Sequence, residues 1–295
     1  MTTTKRLFHR PLLRSLGFIV LVGALALSVF VATGAAAAAD TSAQTKPTIV
    51  LVHGAWADSS SWSGVIQRLQ ADGFTVLAPA NPLRSLQSDS AYLSSFLAQV
   101  PGPIVLVGHS YGGMVTTNAA NGNANVKALV YVSAFIPDQN ENAFQLVGKD
   151  SHIVPPGTPG ATANLIPRGF PLPNPTNIVP APTDVDLYIN PANFRDIFAA
   201  DVAPEQTSIM AVTQRPAALS AFAEKFAGVP AWKSIPAWAI LGGADHAVGT
   251  DSALSMAKRA AGNRVVEIPG ASHALMVSHP DAVTAMIVAA ARASN

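Results

Sequence analysis

The pentapeptide Gly108–Gly112, of sequence Gly-His-Ser-Tyr-Gly, places one serine hydroxyl between two glycines. A serine in this spacing can act as a nucleophile in acyl transfer when the pentapeptide forms a sharp turn between a strand and a helix. The apolar run Ile104–Val107 precedes it and a helical pattern begins at Gly113, so that context is present. An ordinary glycine-containing turn is the alternative interpretation. The context favours Ser110 as a nucleophile.

A serine hydroxyl needs a base that takes its proton. Of the seven histidines, His273 lies in the loop Pro269–His273, directly after the last predicted strand. That is the chain position of the base when the catalytic residues follow the order serine, acid, histidine. The other six lie at positions that suit a base less well: His9, His53, His109, His152, His246 and His279. We predict His273 as the base, with an ordinary surface-loop histidine as the alternative.

The acid that orients the base should lie between nucleophile and base, at the end of a strand. Asp245 follows the apolar run Ala237–Leu241 and fits the loop after the penultimate predicted strand. Asp138 follows an earlier apolar run and fits a less usual position, one strand before. Asp251 has the pattern of a helix cap. We therefore favour Asp245 and keep Asp138 as the alternative.

Two backbone N–H groups must stabilise the oxyanion of a tetrahedral intermediate. The first is expected from Tyr111, the residue after the nucleophile. The second is expected from the turn His53–Trp56, which follows the first apolar run. In that turn Ala55 is the predicted donor, and Gly54 permits close approach of the backbone. His53 is then a structural residue that is hydrogen-bonded within the turn.

Short apolar runs alternate with helical patterns over most of the chain. The predicted strands are Thr48–Val52, Phe74–Ala78, Ile104–Val107, Val126–Val132, Ala237–Leu241 and Arg264–Ile268. The predicted helices are Trp62–Ala71, Ser90–Gln99, Gly113–Ala120, Ser252–Ala261 and Pro280–Ala291. Continuously apolar strands indicate a sheet covered on both faces, and their alternation with helices indicates parallel pairing. The predicted fold class is α/β, a mostly parallel sheet with helices on both faces.

The alternation breaks between about residues 137 and 216, where nine prolines fall between Pro155 and Pro182. We predict a cap inserted into one domain, too polar and proline-rich to form sheet, with helical pieces near Asn193–Asp201 and Pro216–Phe226. A flexible linker between two domains is the alternative. The cap should cover the carboxyl ends of the strands, where Ser110 must lie. Apolar cap residues expected to line the pocket are Phe144, Leu146, Phe170, Leu187, Phe194 and Ile197.

Residues 1–39 have the three parts of a secretory signal peptide: a basic head, an apolar middle and a small-residue exit. Cleavage before Asp40 would leave one domain, residues 40–295, and a secreted or periplasmic protein. A retained membrane anchor is the alternative, because the apolar run approaches the length of a spanning helix. The leader holds four of the 18 basic residues and none of the 17 acidic ones, so its removal changes the net charge from +1 to −3.

Composition excludes several function classes. The chain has no cysteine, so a disulfide, a thiolate nucleophile and a cysteine-based metal site are impossible. The chain has no stripe of basic residues that would indicate nucleic acid as a partner. No pair of histidines has the helical spacing of metal ligands, so we predict no catalytic metal and activity that survives a strong chelator.

The chain resembles the α/β-hydrolase superfamily from Pro47 to Ala290, apart from the cap. The segments Val50–Trp56, Gly108–Met114 and Ser272–His273 are most similar to the plant methylesterase and hydroxynitrile lyase branch and its bacterial esterase relatives. This resemblance implies an eight-stranded sheet, no cofactor and small ester substrates. The lyases carry Thr at the position of Gly54 and Lys at that of Ala274, so the esterase activity is the one implied here.

The sequence therefore predicts a serine hydrolase that cleaves small carboxylic esters through an acyl-enzyme. A lactonase or another specialised hydrolase of the same fold shares every residue named above. A small-molecule receptor without turnover is the alternative from another class, because fold and triad do not guarantee catalysis.

Overall fold

The computed structural model describes residues 46–154, 157–158 and 161–294, with the backbone alone for 161 and 162. The predicted signal peptide, residues 1–39, lies outside these residues. Among the residues that the structure describes, no helix is both long enough and apolar enough to span a bilayer.

A central sheet of six strands carries the fold. Its strands are β1 (Thr48–Val52), β2 (Val76–Leu77), β3 (Ile104–His109), β4 (Val126–Val132), β8 (Ala237–Gly242) and β9 (Val265–Ile268). They pair in the order β2-β1-β3-β4-β8-β9, and every pair is parallel. All residues of β3 and β8 are buried, as their continuous apolar sequences predict.

Helices cover both faces of this sheet. They are α1 (Ser63–Ala71), α2 (Leu86–Leu97), α3 (Tyr111–Ala119), α9 (Thr250–Ala261), α10 (Leu275–Ser278) and α11 (Pro280–Ala293). Alternate side chains of β1 pack on opposite faces of the sheet, because successive residues of a strand point to opposite sides. Ile49 and Leu51 pack in one apolar cluster with Val283 of α11, whereas Val50 and Val52 pack in the other. The predicted α/β class is confirmed.

The predicted strand count of eight is wrong for the part of the chain that the structure describes, which has six strands in its central sheet. The eight came from family resemblance and not from apolar runs, of which the sequence offered six. The described chain begins at Lys46, two residues before β1.

An inserted segment between β4 and β8 forms the cap. Its helices are α4 (Ala143–Leu146), α5 (Ala161–Asn164), α6 (Phe194–Phe198), α7 (Pro204–Thr213) and α8 (Leu219–Ala223). Its strands, β5 (Leu165–Pro171), β6 (Thr183–Ile189) and β7 (Ala217–Ala218), form a separate antiparallel sheet in the order β5-β6-β7.

The expectation that the cap is too polar and proline-rich for sheet is therefore wrong. β5 contains Pro167 and Pro171, but it lies at the edge of its sheet and pairs only with β6. An edge strand tolerates proline, because the missing N–H need not serve a second neighbour. Helix α7 was also missed, although Pro204 in its first turn is a recognised start signal.

The order of the strands fixes where a ligand can bind. The chain runs from β1 outward to β2 and then crosses back to β3 on the other side of β1. Ligands of open α/β sheets bind at such a switch point, beyond the carboxyl ends of the strands. The turn after β1 and the turn after β3 meet there, and these hold the predicted oxyanion donors and the nucleophile.

Candidate active site

Ser110 occupies a strained turn between β3 and α3. Its φ of 54° and ψ of −128° lie in a region that residues other than glycine rarely adopt. Its N–H donates to the carbonyl of Val132 (3.2 Å), and its carbonyl accepts from the N–H of Phe135 (3.1 Å). A Cβ on Gly112 would come within 2.6 Å of the Val52 carbonyl oxygen, so the motif's second glycine has no room for a side chain. The turn is held by its surroundings, as strain at a functional site requires.

His273 and Asp245 form a fully buried pair. The Nδ1 atom of His273 lies 2.8 Å from Oδ2 of Asp245, and both side chains are inaccessible to solvent. The other carboxylate oxygen, Oδ1, accepts the N–H groups of Ala247 and Val248, each at 2.9 Å. These bonds orient the carboxylate, and the carboxylate orients the imidazole. Nε2 of His273 is buried and has no hydrogen-bond partner among the described residues.

The alternative acid, Asp138, lies in a different environment. Its Oδ1 is 2.7 Å from Nζ of Lys233, and its side chain is 31% exposed. The hydrogen bond to Lys233 is the main cause that lowers the pKa of this carboxyl. Asp251, the third candidate, is exposed in the first turn of α9. The structure brings His273 together with Asp245 and with neither of the other two.

The predicted oxyanion donors adjoin the nucleophile. A Cβ on Gly54 would lie 2.5 Å from Cβ of Ser110, so the turn after β1 is packed directly against the serine. Trp56 donates its N–H to the carbonyl of Arg215 (2.7 Å), whereas the amide of Ala55 donates to no described residue. Tyr111 is the first residue of α3, so its N–H has no acceptor within the helix. Both amides are therefore available to an oxyanion.

Asp89 is a buried residue beside the site that the sequence did not single out. Its Oδ2 accepts the hydroxyl of Tyr111 at 2.9 Å, and both of its oxygens accept the N–H of Arg84 at 3.1 Å. Burial raises the pKa of Asp89 and, together with the nearby carboxylate, raises the pKa of Tyr111 well above its ordinary value. These bonds fix the residue that follows the nucleophile. A single Asp near the start of a polar helix does not indicate, from sequence alone, that it contacts Tyr111.

His53 is hydrogen-bonded within the turn after β1. Nδ1 of its ring donates to the carbonyl of Gly54 (2.9 Å), and Nε2 accepts the N–H of Asn81 (2.9 Å). The side-chain amide of Asn81 in turn donates to the backbone carbonyl of His53 (3.0 Å). Nε2 must be unprotonated to accept, and burial, the largest cause, lowers the pKa of His53 to about 4. The ring thus fixes the turn that carries Ala55.

We expect the free energy of unfolding to fall as the pH drops from 6.5 towards 4. In that window the unfolded chain protonates His53 at its ordinary pKa of 6.5, whereas the folded chain does so only near 4. The unfolded state then binds more protons, and the loss reaches about 3 kcal/mol. His109, whose pKa burial lowers well below its ordinary value, acts in the same direction. The raised pKa of Asp89 acts in the opposite direction.

Urea denaturation at pH 7.5 and at pH 4.5 measures this loss. The control is His53→Gln, which removes the titrating group and should show a smaller difference between the two pH values. An equal difference in both proteins would mean that His53 does not couple to folding.

Aromatic side chains of the cap pack on the base and on the residue that follows the nucleophile. Phe222 of α8 stacks on Trp56 at 5.4 Å between ring centroids and lies 5.8 Å from Tyr111. Phe198 of α6 meets the His273 ring edge-on at 4.9 Å. Both phenylalanines lie in the predicted helical pieces of the cap, but the sequence does not show which face of those pieces meets the site. We call Phe198 and Phe222 the aromatic wall of the site. The sequence analysis did not predict either residue.

The cap residues predicted to line the pocket divide into two sets. Phe144 packs on Phe222 at 5.5 Å, and Phe194 packs on Phe198 at 5.2 Å, so both stand behind the wall residues. Leu146, Leu187 and Ile197 are buried in the same apolar cluster. Phe170 instead lies over the guanidinium of Arg84, at 5.1 Å.

The cap also holds the loop of the base. The carbonyl of Phe198 accepts the N–H of Ala274 at 2.8 Å. Asp201 accepts the hydroxyl of Ser272 and lies 3.1 Å from Nε2 of His279. Cap residues therefore contact both sides of His273.

The site is closed in this structure. Ser110 is 1% exposed and His273 is fully buried. A surface cavity of about 490 Å³ lies instead against α1 and α11, where Arg68 and Asp281 are among its lining residues. A substrate therefore reaches Ser110 only if the groups that cover it move.

A group of potential metal ligands lies outside the predicted catalytic residues. Within the described part of the chain, the one group of three is His152, Asp196 and His246, and it includes none of the predicted site residues.

Comparison with known proteins shows the family to which the chain belongs. Residues 49–286 match the profile described as "Alpha/beta hydrolase family". A carbendazim hydrolyzing esterase of Nocardioides sp. (strain SG-4G) is 33% identical over 113 residues, which are 34% of this chain and 47% of the esterase. The match thus spans about half the length of that relative.

Solved structures share the fold over nearly their whole length. Polyneuridine aldehyde esterase is 21% identical, with a TM-score of 0.65 over 83% of this chain and 99% of the esterase. An extracellular α/β-hydrolase from a Paenibacillus species is 20% identical, with a TM-score of 0.63 over 83% and 98%. Because the family profile matches residues 49–286, which is most of the chain, the protein belongs to the α/β hydrolase family.

Proposed function

We propose that the protein is a serine esterase that hydrolyses small carboxylic esters. The observation that carries this proposal is the fully buried His273–Asp245 pair, whose Nε2 is unpartnered and whose ring packs on His109, the residue before the strained Ser110. A buried imidazole with one nitrogen bound by a carboxylate and the other unpartnered is arranged to accept a proton. His53 differs, because both of its ring nitrogens are hydrogen-bonded. His109 also has one unpartnered nitrogen, but its other nitrogen contacts a backbone carbonyl and not a carboxylate.

In the proposed mechanism, Nε2 of His273 takes the proton of the Ser110 hydroxyl as the oxygen attacks the ester carbonyl. Asp245 keeps the imidazole proton on Nδ1 and stabilises the imidazolium that forms. The N–H groups of Ala55 and Tyr111 stabilise the oxyanion. His273 then gives its proton to the leaving alcohol, and a water molecule activated by the same imidazole releases the acid.

The substrate class is proposed from the wall of the site and from the named relatives. Phe198, Phe222 and Trp56 provide an apolar, aromatic surface beside His273 and Tyr111. The relatives with esterase in their names support an ester in preference to an amide. A lactone presents the same carbonyl chemistry and is the nearest alternative. Export through the predicted leader stays a prediction.

Labelling with a fluorophosphonate tests the proposal, because this probe reacts with an activated serine and with no ordinary one. We expect labelling of the wild-type protein at Ser110 and hydrolysis of a short p-nitrophenyl ester. Labelling without turnover over a panel of acyl esters and lactones would favour a receptor. Failure to label would overturn the proposed nucleophile.

Shortening the aromatic wall should change the preferred acyl length. Phe222→Leu and Phe144→Ala enlarge the space beside Tyr111, so longer acyl chains should gain relative to acetate. Each methylene accommodated is worth about 1–3 kcal/mol of discrimination. The measurement is kcat/KM over a series of p-nitrophenyl esters.

The matched control is Phe170→Ala, because Phe170 packs on the Arg84 guanidinium and forms no aromatic pair with Phe198 or Phe222. Its profile should match the wild type. Phe194 is fully buried, so truncating it would also cost about 3–5 kcal/mol of stability and is less informative. If Phe222→Leu and Phe144→Ala both reproduce the wild-type profile, the cap does not define the acyl site.

A further inference from the structure

Two histidines and an aspartate converge where the cap meets the loop of the predicted acid. Nδ1 of His152 lies 3.0 Å from Oδ2 of Asp196, and Nδ1 of His246 lies 3.7 Å from Oδ1 of the same carboxylate. The two imidazole rings are 4.6 Å apart between centroids. One potential ligand atom from each residue lies within 4.8 Å of the other two.

These separations suit a small metal ion. Zinc–nitrogen and zinc–oxygen bonds of about 2.0–2.2 Å in a tetrahedron place neighbouring ligand atoms roughly 3.3 Å apart. Nδ1 of His152 is at a similar distance from Oδ2 of Asp196 (3.0 Å), and Nδ1 of His246 from Oδ1 (3.7 Å). Nδ1 of His246 also lies 3.1 Å from the backbone carbonyl oxygen of Asp196, a contact that a bound ion would replace. Two imidazoles and one carboxylate favour a borderline transition metal over magnesium or calcium, which prefer all-oxygen sites.

The backbone fixes the segments that carry the ligands. The N–H of His152 donates to the carbonyl of His246 at 2.7 Å, and the amide of Asn164 donates to the carbonyl of His152 at 2.9 Å. Nearby, the N–H of Gly148 donates to the carbonyl of Val248 at 2.7 Å. Backbone hydrogen bonds therefore hold the segments of the two histidines together, and helix α6 supplies Asp196.

Solvent can reach the cluster. The side chains of His152, Asp196 and His246 are 42%, 63% and 35% exposed. A hydrated ion can thus enter and keep a water molecule as a fourth ligand, which is the usual arrangement when a protein supplies three.

We propose that His152, Asp196 and His246 form a binding site for one divalent transition-metal ion, with Zn²⁺ as the expected ion. The ion would join three separate segments: the start of the cap, helix α6 and the loop of Asp245. It is not a catalytic metal, because Asp245, His273 and Ser110 supply none of its ligands. Since α6 also carries Phe198, the bound ion would fix the helix that packs on the His273 ring.

The test is titration of the protein, produced without a polyhistidine tag, with zinc chloride followed by calorimetry and by thermal unfolding. We expect saturable binding of one Zn²⁺ per chain, and no binding of magnesium chloride. At a hundredfold excess over its Kd, zinc should raise the Tm by roughly 5–10 °C. No saturable zinc binding by the wild-type protein would overturn the proposal.

His152→Gln and Asp196→Asn locate the site. Each removes one ligand, and each should weaken zinc binding by about tenfold or more, since even the loss of an outer-shell partner costs about 10–100-fold. His279→Gln is the matched control, because it removes a partly exposed imidazole outside the cluster and should bind zinc as the wild type does. Unchanged binding in both ligand variants, or loss of binding in the control, would place the ion elsewhere and refute the site.

Zinc binding and ester hydrolysis can fail independently. Ser110→Ala should bind zinc like the wild type, whatever its turnover, because Ser110 supplies no ligand. Equal ester turnover before and after dialysis against a chelator would agree with a metal outside the chemistry. Zinc binding that disappears in Ser110→Ala would contradict the proposed ligand set.

Discussion

Ser110→Ala is expected to abolish ester hydrolysis while leaving the fold intact. The substitution removes the oxygen that attacks the carbonyl, and loss of the nucleophile of a serine–histidine–acid triad lowers turnover by about 10⁴-fold or more. Alanine lacks only the Oγ atom and introduces no clash, so the turn between β3 and α3 should persist. The measurements are kcat for a short p-nitrophenyl ester and a circular dichroism spectrum of the same preparation.

The matched control is Ser95→Ala, the same chemical change at an exposed position of α2. It should leave both turnover and fluorophosphonate labelling unchanged. Near wild-type turnover in a purified Ser110→Ala protein would show that another group is the nucleophile, and the proposed mechanism would have to be abandoned.

The parts of the fold that follow from local pattern were predictable. Strands β1 and β4 begin and end at the predicted residues, because continuous apolar runs bounded by polar loops define buried parallel strands. Helix α2 begins at Leu86, four residues before its predicted start, because Ser85 caps it through the N–H of Ser88. The serine motif, the loop of His273 and the loop of Asp245 were found because each follows such a strand.

What the sequence could not supply are contacts between distant segments of the cap and the domain. Phe198 and Phe222 face the site because α6 and α8 fold back onto the strand ends, and no local pattern records that path. The sequence did not predict the cluster of His152, Asp196 and His246 for the same reason. Metal ligands are recognised in a sequence by short spacing on one element, and these three lie on separate segments.

The cap and the proposed chemistry are physically joined at α6 and the residues after it. Phe198 accepts a hydrogen bond from the loop of the base, Asp196 contacts the residue beside the acid, and Asp201 contacts both Ser272 and His279. The site is closed by the same segment that positions it. Opening for substrate must therefore leave the His273–Asp245 pair in place, and hydrogen bonds from the N–H groups of Ala247 and Val248 to Asp245 hold that pair independently of the cap.

Asp245→Asn should lower kcat by about 10⁴-fold, through the tautomer of His273. Oδ1 of Asp245 accepts two backbone N–H groups, so the oxygen of an asparagine amide must take that position. The amide NH₂ then faces Nδ1 of His273, which can accept its hydrogen bond only without a proton. The ring proton moves to Nε2, and the base can no longer take the proton of Ser110. Asp138→Asn is the isosteric control, since that carboxylate pairs with Lys233, and it should cost far less. Measuring kcat for both variants decides the assignment, and the reverse ranking would move the acid to the strand before.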